Sequence, residues 1–146
     1  MQESHWLFRL SAADWLRSGE HELALARDDS RSRRKVLTHL RRGAGMALNA
    51  VLVASFDKNE LTAEEAETIW GRSYIEHLRR CTVAASPAPA LPARVGEAAQ
   101  TLMSLPLNDP ERLVRLGGGH GPAVQGAIEQ TALMLEWAKA YTEASE

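Results

Sequence analysis

Residues 37–53 combine large apolar side chains with many small residues, and this combination limits the fold more than any other feature of the chain. The segment reads LTHLRRGAGMALNAVLV, and its large apolar residues recur at the spacing of a helical face. Gly43 and Gly45 lie within one turn of it, although glycine inside a helix costs about 1 kcal/mol relative to alanine. This cost indicates that another element packs very close to the backbone. We therefore predict a long helix over about residues 32–55 at the centre of a helical bundle.

Capping residues and prolines mark the ends of four further helices. Thr62 followed by Glu65 is a capping box that opens a helix, and Gly71 should bend that helix or divide it in two. Pro106 ends another helix, and Pro122 occupies a first-turn position where proline is favoured. No window alternates with period two between hairpin turns, so no sheet is predicted. The five predicted helices cover about residues 12–27, 32–55, 62–81, 93–105 and 122–141.

Length and charge indicate a single domain that is not built mainly to hold nucleic acid. The 146 residues, 45% of them hydrophobic, suffice for one core over residues 1–146, with a turn at 1–10 lying back on a bundle of 11–144. The net charge of −2 lacks the excess of Lys and Arg that nucleic acid rewards. Cys81 is the single cysteine, which fits a reducing cytoplasm and a buried position. Neither export nor a membrane span is expected, because there is no leader pattern and no run of about 18 apolar residues.

Two stretches carry a resemblance to the HEPN family of helical domains. They are the alanine-rich stretch Arg41 to Leu52 and the histidine-containing stretch Tyr74 to Leu78, set in a similar order of helices. The resemblance implies an up-and-down bundle and a homodimer. Many HEPN domains are metal-independent ribonucleases in which an Arg and a His, separated by four to six residues, meet at the dimer interface.

The motif RSYIEH gives Arg72 and His77 the spacing of that family's catalytic pair. By resemblance, the imidazole would exchange a proton with RNA and the guanidinium would stabilise charge on the phosphodiester in the transition state. The same spacing also occurs elsewhere in the chain. These further matches are Arg33 and Arg34 with His39, and Arg115 with His120.

Basic residues at the start and on the outer surface of the long helix are candidates for binding phosphate or RNA. Arg34, Arg41 and Arg42 are the residues that we predict for this role, because clustered guanidinium groups attract the nucleic-acid backbone. The alternative is a solvated face. Asp28 and Asp29 would then balance it, since basic side chains at a helix start oppose the helix dipole.

Two further groups of residues resemble ligand sites, but for each we prefer a structural interpretation. Glu64, Glu65 and Glu67 resemble metal ligands near His77, but acids are favoured in the first turns of a helix, and no metal-binding motif is present. Residues 117–121, with four glycines, resemble a phosphate cradle before a helix, yet they lack the ending of a P-loop and are predicted to form a flexible loop. No metal or cofactor is therefore predicted.

The sequence thus predicts an all-α, HEPN-like, up-and-down bundle of about five helices. We expect a cytoplasmic homodimer without membrane contact that acts as a binding or protein-interaction module rather than as an enzyme. One alternative is a metal-independent endoribonuclease that uses Arg72 and His77. The other is nucleotide or RNA binding without catalysis, through Arg34, Arg41 and Arg42.

Overall fold

The computed structural model describes residues 5–28, 32–82, 89–106 and 121–144, and in these ranges the chain is helical and contains no strand. A 3₁₀ turn at Trp6–Arg9 precedes the α-helices. The described α-helices are α1 (Ala12–Asp28), α2 (Arg33–Asp57), α3 (Ala63–Trp70), α4 (Tyr74–Cys81), α5 (Ala93–Ser104) and α6 (Pro122–Ala144). The predicted all-α bundle is confirmed.

Helix α2 lies at the centre of the bundle, as its sequence predicts. It contacts α1, α4, α5 and α6, and nearly every residue from Gly43 to Ser55 is buried. The helix begins at Ser32, whose hydroxyl accepts a hydrogen bond from the backbone N–H of Lys35 at 3.2 Å. Because partners surround α2, its apolar surface extends over more than one face.

The small residues of α2 allow two neighbouring helices to approach its backbone. A Cβ atom on Gly43 would lie 3.1 Å from the carbonyl oxygen of Gly19 in α1. A Cβ atom on Gly45 would lie 2.5 Å from Cβ of Tyr74 in α4, which is closer than carbon atoms can pack. The close approach that we inferred from the two glycines is confirmed.

The helix predicted over residues 62–81 is two helices, so six α-helices are described rather than five. Thr62 and Glu65 form the predicted capping box, with each side chain bonded to the backbone N–H of the other residue. Gly71 ends α3 with φ of 80°, a left-handed conformation that favours glycine. Ser73 then caps α4 by accepting the N–H of Glu76 at 3.1 Å. The division at Gly71 therefore has a conformational cause.

Within the predicted N-terminal segment, the described turn at Trp6–Arg9 packs against the bundle. Leu7 is fully buried, and its carbonyl oxygen accepts a hydrogen bond from the indole of Trp15 at 2.9 Å. The indole of Trp6 donates to the carboxylate of Glu67 in α3, also at 2.9 Å. These contacts join the turn to α1 and to α3.

The structure also bears on the predictions for Cys81 and for a membrane span, but not on the prediction for the glycine loop. Cys81 is buried, and desolvation raises the pKa of its thiol to about 12, which keeps it protonated and unreactive. No helix in the described ranges has the length and hydropathy needed to cross a bilayer. The glycine loop over residues 117–120 and the match of Arg115 with His120 lie outside the described residues.

Candidate ligand-binding site between α1 and α2

His77, the predicted catalytic histidine, is a core residue with no exposed surface. Its Nδ1 lies 2.8 Å from the carbonyl oxygen of Trp70, and its Nε2 lies 2.7 Å from the side-chain amide of Asn49 in α2. The ring of Trp6 covers it at a centroid distance of 5.8 Å. Both ring nitrogens are therefore occupied by partners inside the protein.

The partners of His77 also determine where its proton lies. A carbonyl oxygen only accepts, so the Nδ1 atom facing Trp70 carries the hydrogen. Burial lowers the pKa of His77, which favours the neutral ring and leaves Nε2 as an acceptor. The amide of Asn49 then presents its NH₂ group to Nε2, since its nitrogen and oxygen exchange places by rotation of the amide. This arrangement satisfies every polar atom of the imidazole and joins α2 to α4.

The structure separates Arg72 from His77. Arg72 is exposed beyond Gly71, and its Nε lies 3.6 Å from the carboxylate of Glu67. His77 faces the core, where substrate has no access within this protomer. Within this protomer Arg72 and His77 share no cleft, because the histidine points inward to hold α2 and the arginine points outward to pair with α3.

The three arginines predicted to bind phosphate do not act as one group. Arg41 donates from Nε to the carbonyl oxygen of Leu102 and from Nη2 to that of Leu105, both at 2.9 Å. It thereby caps the C-terminal end of α5, whose last carbonyl groups lack partners within the helix. Arg34 is exposed on α2, whereas Arg42 points towards α1. The prediction of one common face was wrong in its geometry, because helical periodicity directs neighbouring arginines to different partners.

A cleft of about 720 Å³ lies between α1 and α2 and contains Arg42 but neither of the other two arginines. Its apolar lining includes Leu25 and Met46. Its polar lining consists of residues from both helices, at spacings that keep them on one edge of each helix. These polar residues are Asp14, Arg17, Ser18, His21, Glu22, His39 and Arg42.

Glu22 is the central residue of this cleft, because it is a carboxylate that is only 5% exposed. Its Oε2 lies 3.2 Å from Nδ1 of His39, and its Oε1 lies 2.9 Å from Nε of Arg42. The second contact is ionic and lacks the alignment of a hydrogen bond, so Oε1 has no hydrogen-bond partner among the described residues. Burying a carboxylate is costly unless it is paired and hydrogen-bonded; Arg42 supplies the opposite charge, and His39 lies against the second oxygen.

The ion pairs of Glu22 leave the outer nitrogens of both partners unused. Glu22 occupies Nδ1 of His39 and Nε of Arg42. Nε2 of His39 and the two terminal nitrogens of Arg42 have no partner in the described part of the chain. The Arg42 side chain is half exposed, and that of His39 is about a quarter exposed. A buried acid thus holds the guanidinium of Arg42, with two unused terminal nitrogens that donate, at the edge of an open cleft, an arrangement suited to binding an oxygen-rich anion.

Two acidic residues of α3 have structural roles, and one of these roles is the cap that the sequence favours. Glu65 completes the capping box, and Glu67 joins Trp6, His5 and Arg72. No group of three or more potential ligand side chains capable of holding a metal ion occurs among the described residues. Glu65 is therefore the cap that the sequence predicts, whereas Glu67 joins the N-terminal turn and Arg72 to α3.

Sequence reasoning missed the α1–α2 cleft, although one signal pointed to it. Glu22 sits among Gly19, Leu23 and Ala26, the small and apolar residues that form the buried face of α1. An acid in such a position requires a partner, and His39 and Arg42 are three residues apart on the neighbouring helix. The pairing itself depends on how α1 and α2 align. Comparisons with protein-family models, with curated proteins and with solved structures found no match to this chain.

Proposed function

We propose that this protein is a HEPN-like binding module and that it binds phosphate-bearing ligands, of the nucleotide or RNA class, in the α1–α2 cleft without catalysis. The observation that carries the proposal is the pairing of buried Glu22 with His39 and Arg42, which leaves unused donors facing an open cleft. Phosphate oxygens accept hydrogen bonds from such donors, and arginine suits them because its N–H groups form a planar fork.

The composition of the cleft favours a ligand with both charge and an apolar part. Arg17 and His21 of α1 add basic groups at the rim, and Leu25 and Met46 add apolar surface. The volume of about 720 Å³ lies within the usual range for small-molecule sites. A nucleotide combines an anionic phosphate with a planar base that can cover apolar side chains.

Calorimetric titration with adenosine monophosphate and with a short RNA tests this proposal. We expect binding at pH 7 that is lost or weakened at least tenfold in Arg42→Gln, because removing a charged donor from an anion site costs about 1.5–3 kcal/mol. Arg17→Gln is a second variant whose exposed side chain is not needed for folding. Lys35→Gln is the matched control, since Lys35 is exposed on α2 outside the cleft. Unchanged affinity in both arginine variants would refute the site.

The homodimer and the cytoplasmic location belong to the same proposal. The dimer follows from the HEPN resemblance, and light scattering on the purified protein tests it. The alternative ribonuclease predicts RNA cleavage in EDTA that His77→Ala abolishes. The buried, fully bonded state of His77 favours binding over cleavage, so we expect intact RNA in that assay.

A further inference from the structure

Among the described residues, Glu22 carries the only buried side-chain nitrogen or oxygen that has no hydrogen-bond partner. The residue is 5% exposed, and the atom without a partner is Oε1. The other oxygen, Oε2, lies 3.2 Å from Nδ1 of His39. A buried acceptor that lacks a donor has lost its hydration and gained no bond in exchange. Oε1 is therefore the atom of the cleft that gains most from a donor on a ligand.

The stem of Glu22 is held by close packing between α1 and α2. An added Cβ atom on Gly43 would lie 3.5 Å from Cβ of Glu22, so the acid rests against a stretch of α2 backbone that has no side chain. The carboxylate belongs to the lining of the cleft, and His39 lies against its Oε2. Oε1 is therefore directed towards Arg42 on the cleft side.

The guanidinium of Arg42 covers Oε1 without satisfying it. Nε of Arg42 lies 2.9 Å from Oε1 but lacks the alignment of a hydrogen bond, and the arginine side chain is half exposed. Because no aligned hydrogen bond has to break, a phosphate in the cleft can draw the guanidinium outward through its terminal nitrogens. This movement uncovers Oε1 while the guanidinium still separates the carboxylate from the phosphate.

A ligand that uses both positions must carry an anion and a hydrogen-bond donor as close neighbours, because only one guanidinium separates them. In a nucleotide, the ribose hydroxyl groups are the donors nearest the phosphate, whereas the amino group of a base lies beyond the ribose. Acidic side chains accept hydrogen bonds from ribose hydroxyl groups in dinucleotide-binding folds, and hydrogen bonds to an ionised carboxylate are short and strong. Met46, one turn along α2 from Arg42, supplies apolar lining for the base.

We infer that the α1–α2 cleft selects ribonucleotides over deoxyribonucleotides, and that Glu22 determines this selectivity by accepting a ribose hydroxyl group at Oε1. This inference rests on the proposed function, because it concerns the same cleft. A free ribonucleotide and an RNA chain present the same ribose phosphate. A residue inside an RNA chain retains only its 2′-hydroxyl group, so the hydroxyl group that Glu22 accepts also indicates which source fits.

Adenosine monophosphate and its 2′-deoxy and 3′-deoxy forms are matched probes for the parent protein. We expect calorimetry at pH 7 to show binding that is at least about tenfold weaker for one or both deoxy forms, as expected for loss of a hydrogen bond to a charged group. Inosine monophosphate lacks the amino group of adenine and should bind as adenosine monophosphate does. An adenylate hexamer, compared as RNA and as DNA, identifies the source: a preference for RNA assigns the chain, and equal binding assigns the free nucleotide.

The variant Glu22→Gln tests the acceptor, because glutamine keeps the shape of the side chain but loses its charge. We expect the preference for adenosine monophosphate over the weaker deoxy form to fall by about threefold or more, since a hydrogen bond to a neutral amide is weaker than one to a carboxylate. Glu20→Gln is the matched control, because Glu20 is exposed on the same helix and does not line the cleft. It should keep the preference of the parent protein. The preference is a ratio of two affinities, and circular dichroism checks the folding of both variants.

The comparison of probes on the parent protein decides the inference even where a variant fails to fold. Deoxy forms that bind as tightly as adenosine monophosphate, with an affinity that depends on Arg42, would overturn the inference and leave the proposed function standing. An undiminished preference in folded Glu22→Gln would also overturn it, because another residue would then accept the hydroxyl group. Absence of binding by every nucleotide and RNA probe would overturn both the inference and the proposed function.

Discussion

Alanine substitution of two glycines should change stability in opposite directions, although both lie inside helices. At Gly45 the added methyl group would lie 2.5 Å from Cβ and Cδ1 of Tyr74. The Cβ atom of Tyr74 is fixed to the backbone, so α4 must move away from α2. Overpacking of this kind costs about 1–3 kcal/mol, and the helix propensity of alanine returns about 1 kcal/mol. Since this contact is severe, we expect Gly45→Ala to lower the free energy of unfolding by about 1–2 kcal/mol.

The matched variant is Gly126→Ala in α6, where an added Cβ atom would meet nothing within 4 Å. No steric clash opposes the gain in helix propensity at Gly126, so we expect the free energy of unfolding to rise by about 0.5–1 kcal/mol. The two variants should differ by about 1.5–3 kcal/mol, which corresponds to roughly 5–10 °C in Tm for a chain of this size. Urea denaturation followed by circular dichroism measures both differences. A Gly45→Ala variant as stable as the parent would refute the close packing of Tyr74 on α2.

Two further predictions concern residues that the sequence had assigned to function. Burial lowers the pKa of His77, so at low pH the unfolded chain binds a proton that the folded protein excludes. The contribution of neutral His77 to the free energy of unfolding should therefore be complete above about pH 6.5. Below that pH the free energy of unfolding should fall by up to about 1.4 kcal/mol per pH unit. His77→Gln should be less stable at pH 8 and show a flatter profile of unfolding free energy against pH than the parent, whereas an equally steep profile would contradict the argument. Arg41→Ala should lower the free energy of unfolding by about 1–3 kcal/mol through loss of two bonds to α5 while leaving nucleotide affinity unchanged. Lys35→Ala is its exposed control, and reduced nucleotide affinity in the Arg41 variant would instead favour the phosphate-binding role.

Several elements of the fold could be predicted because their signals are local. The capping box at Thr62, the left-handed position of Gly71 and the proline at the start of α6 each express a backbone preference that does not depend on distant residues. The two glycines of α2 indicated close packing, because glycine destabilises the interior of a helix unless a neighbouring element needs the space. These features determined the helices and the identity of the central one.

The candidate site could not be predicted in the same way, because it depends on which side chains meet across helices. Arg41 and Arg42 are adjacent in sequence and similar in chemistry, yet one caps α5 and the other pairs with Glu22. His77 matched a spacing motif, but its imidazole is directed into the core by Asn49 and Trp70. Periodicity assigns a residue to a face of its own helix and gives no information about the charge that a partner presents to that face.

The sequence by itself therefore determined an all-α chain with a long, small-residue helix at its centre, because hydrophobic periodicity, caps and glycines act over a few neighbouring residues. Only the tertiary structure decided which polar residues hold the fold together and which remain available to a ligand. The physical reason is burial. A charged or hydrogen-bonding group loses water on folding and must find a specific partner, and the identity of that partner is set by the alignment of whole helices.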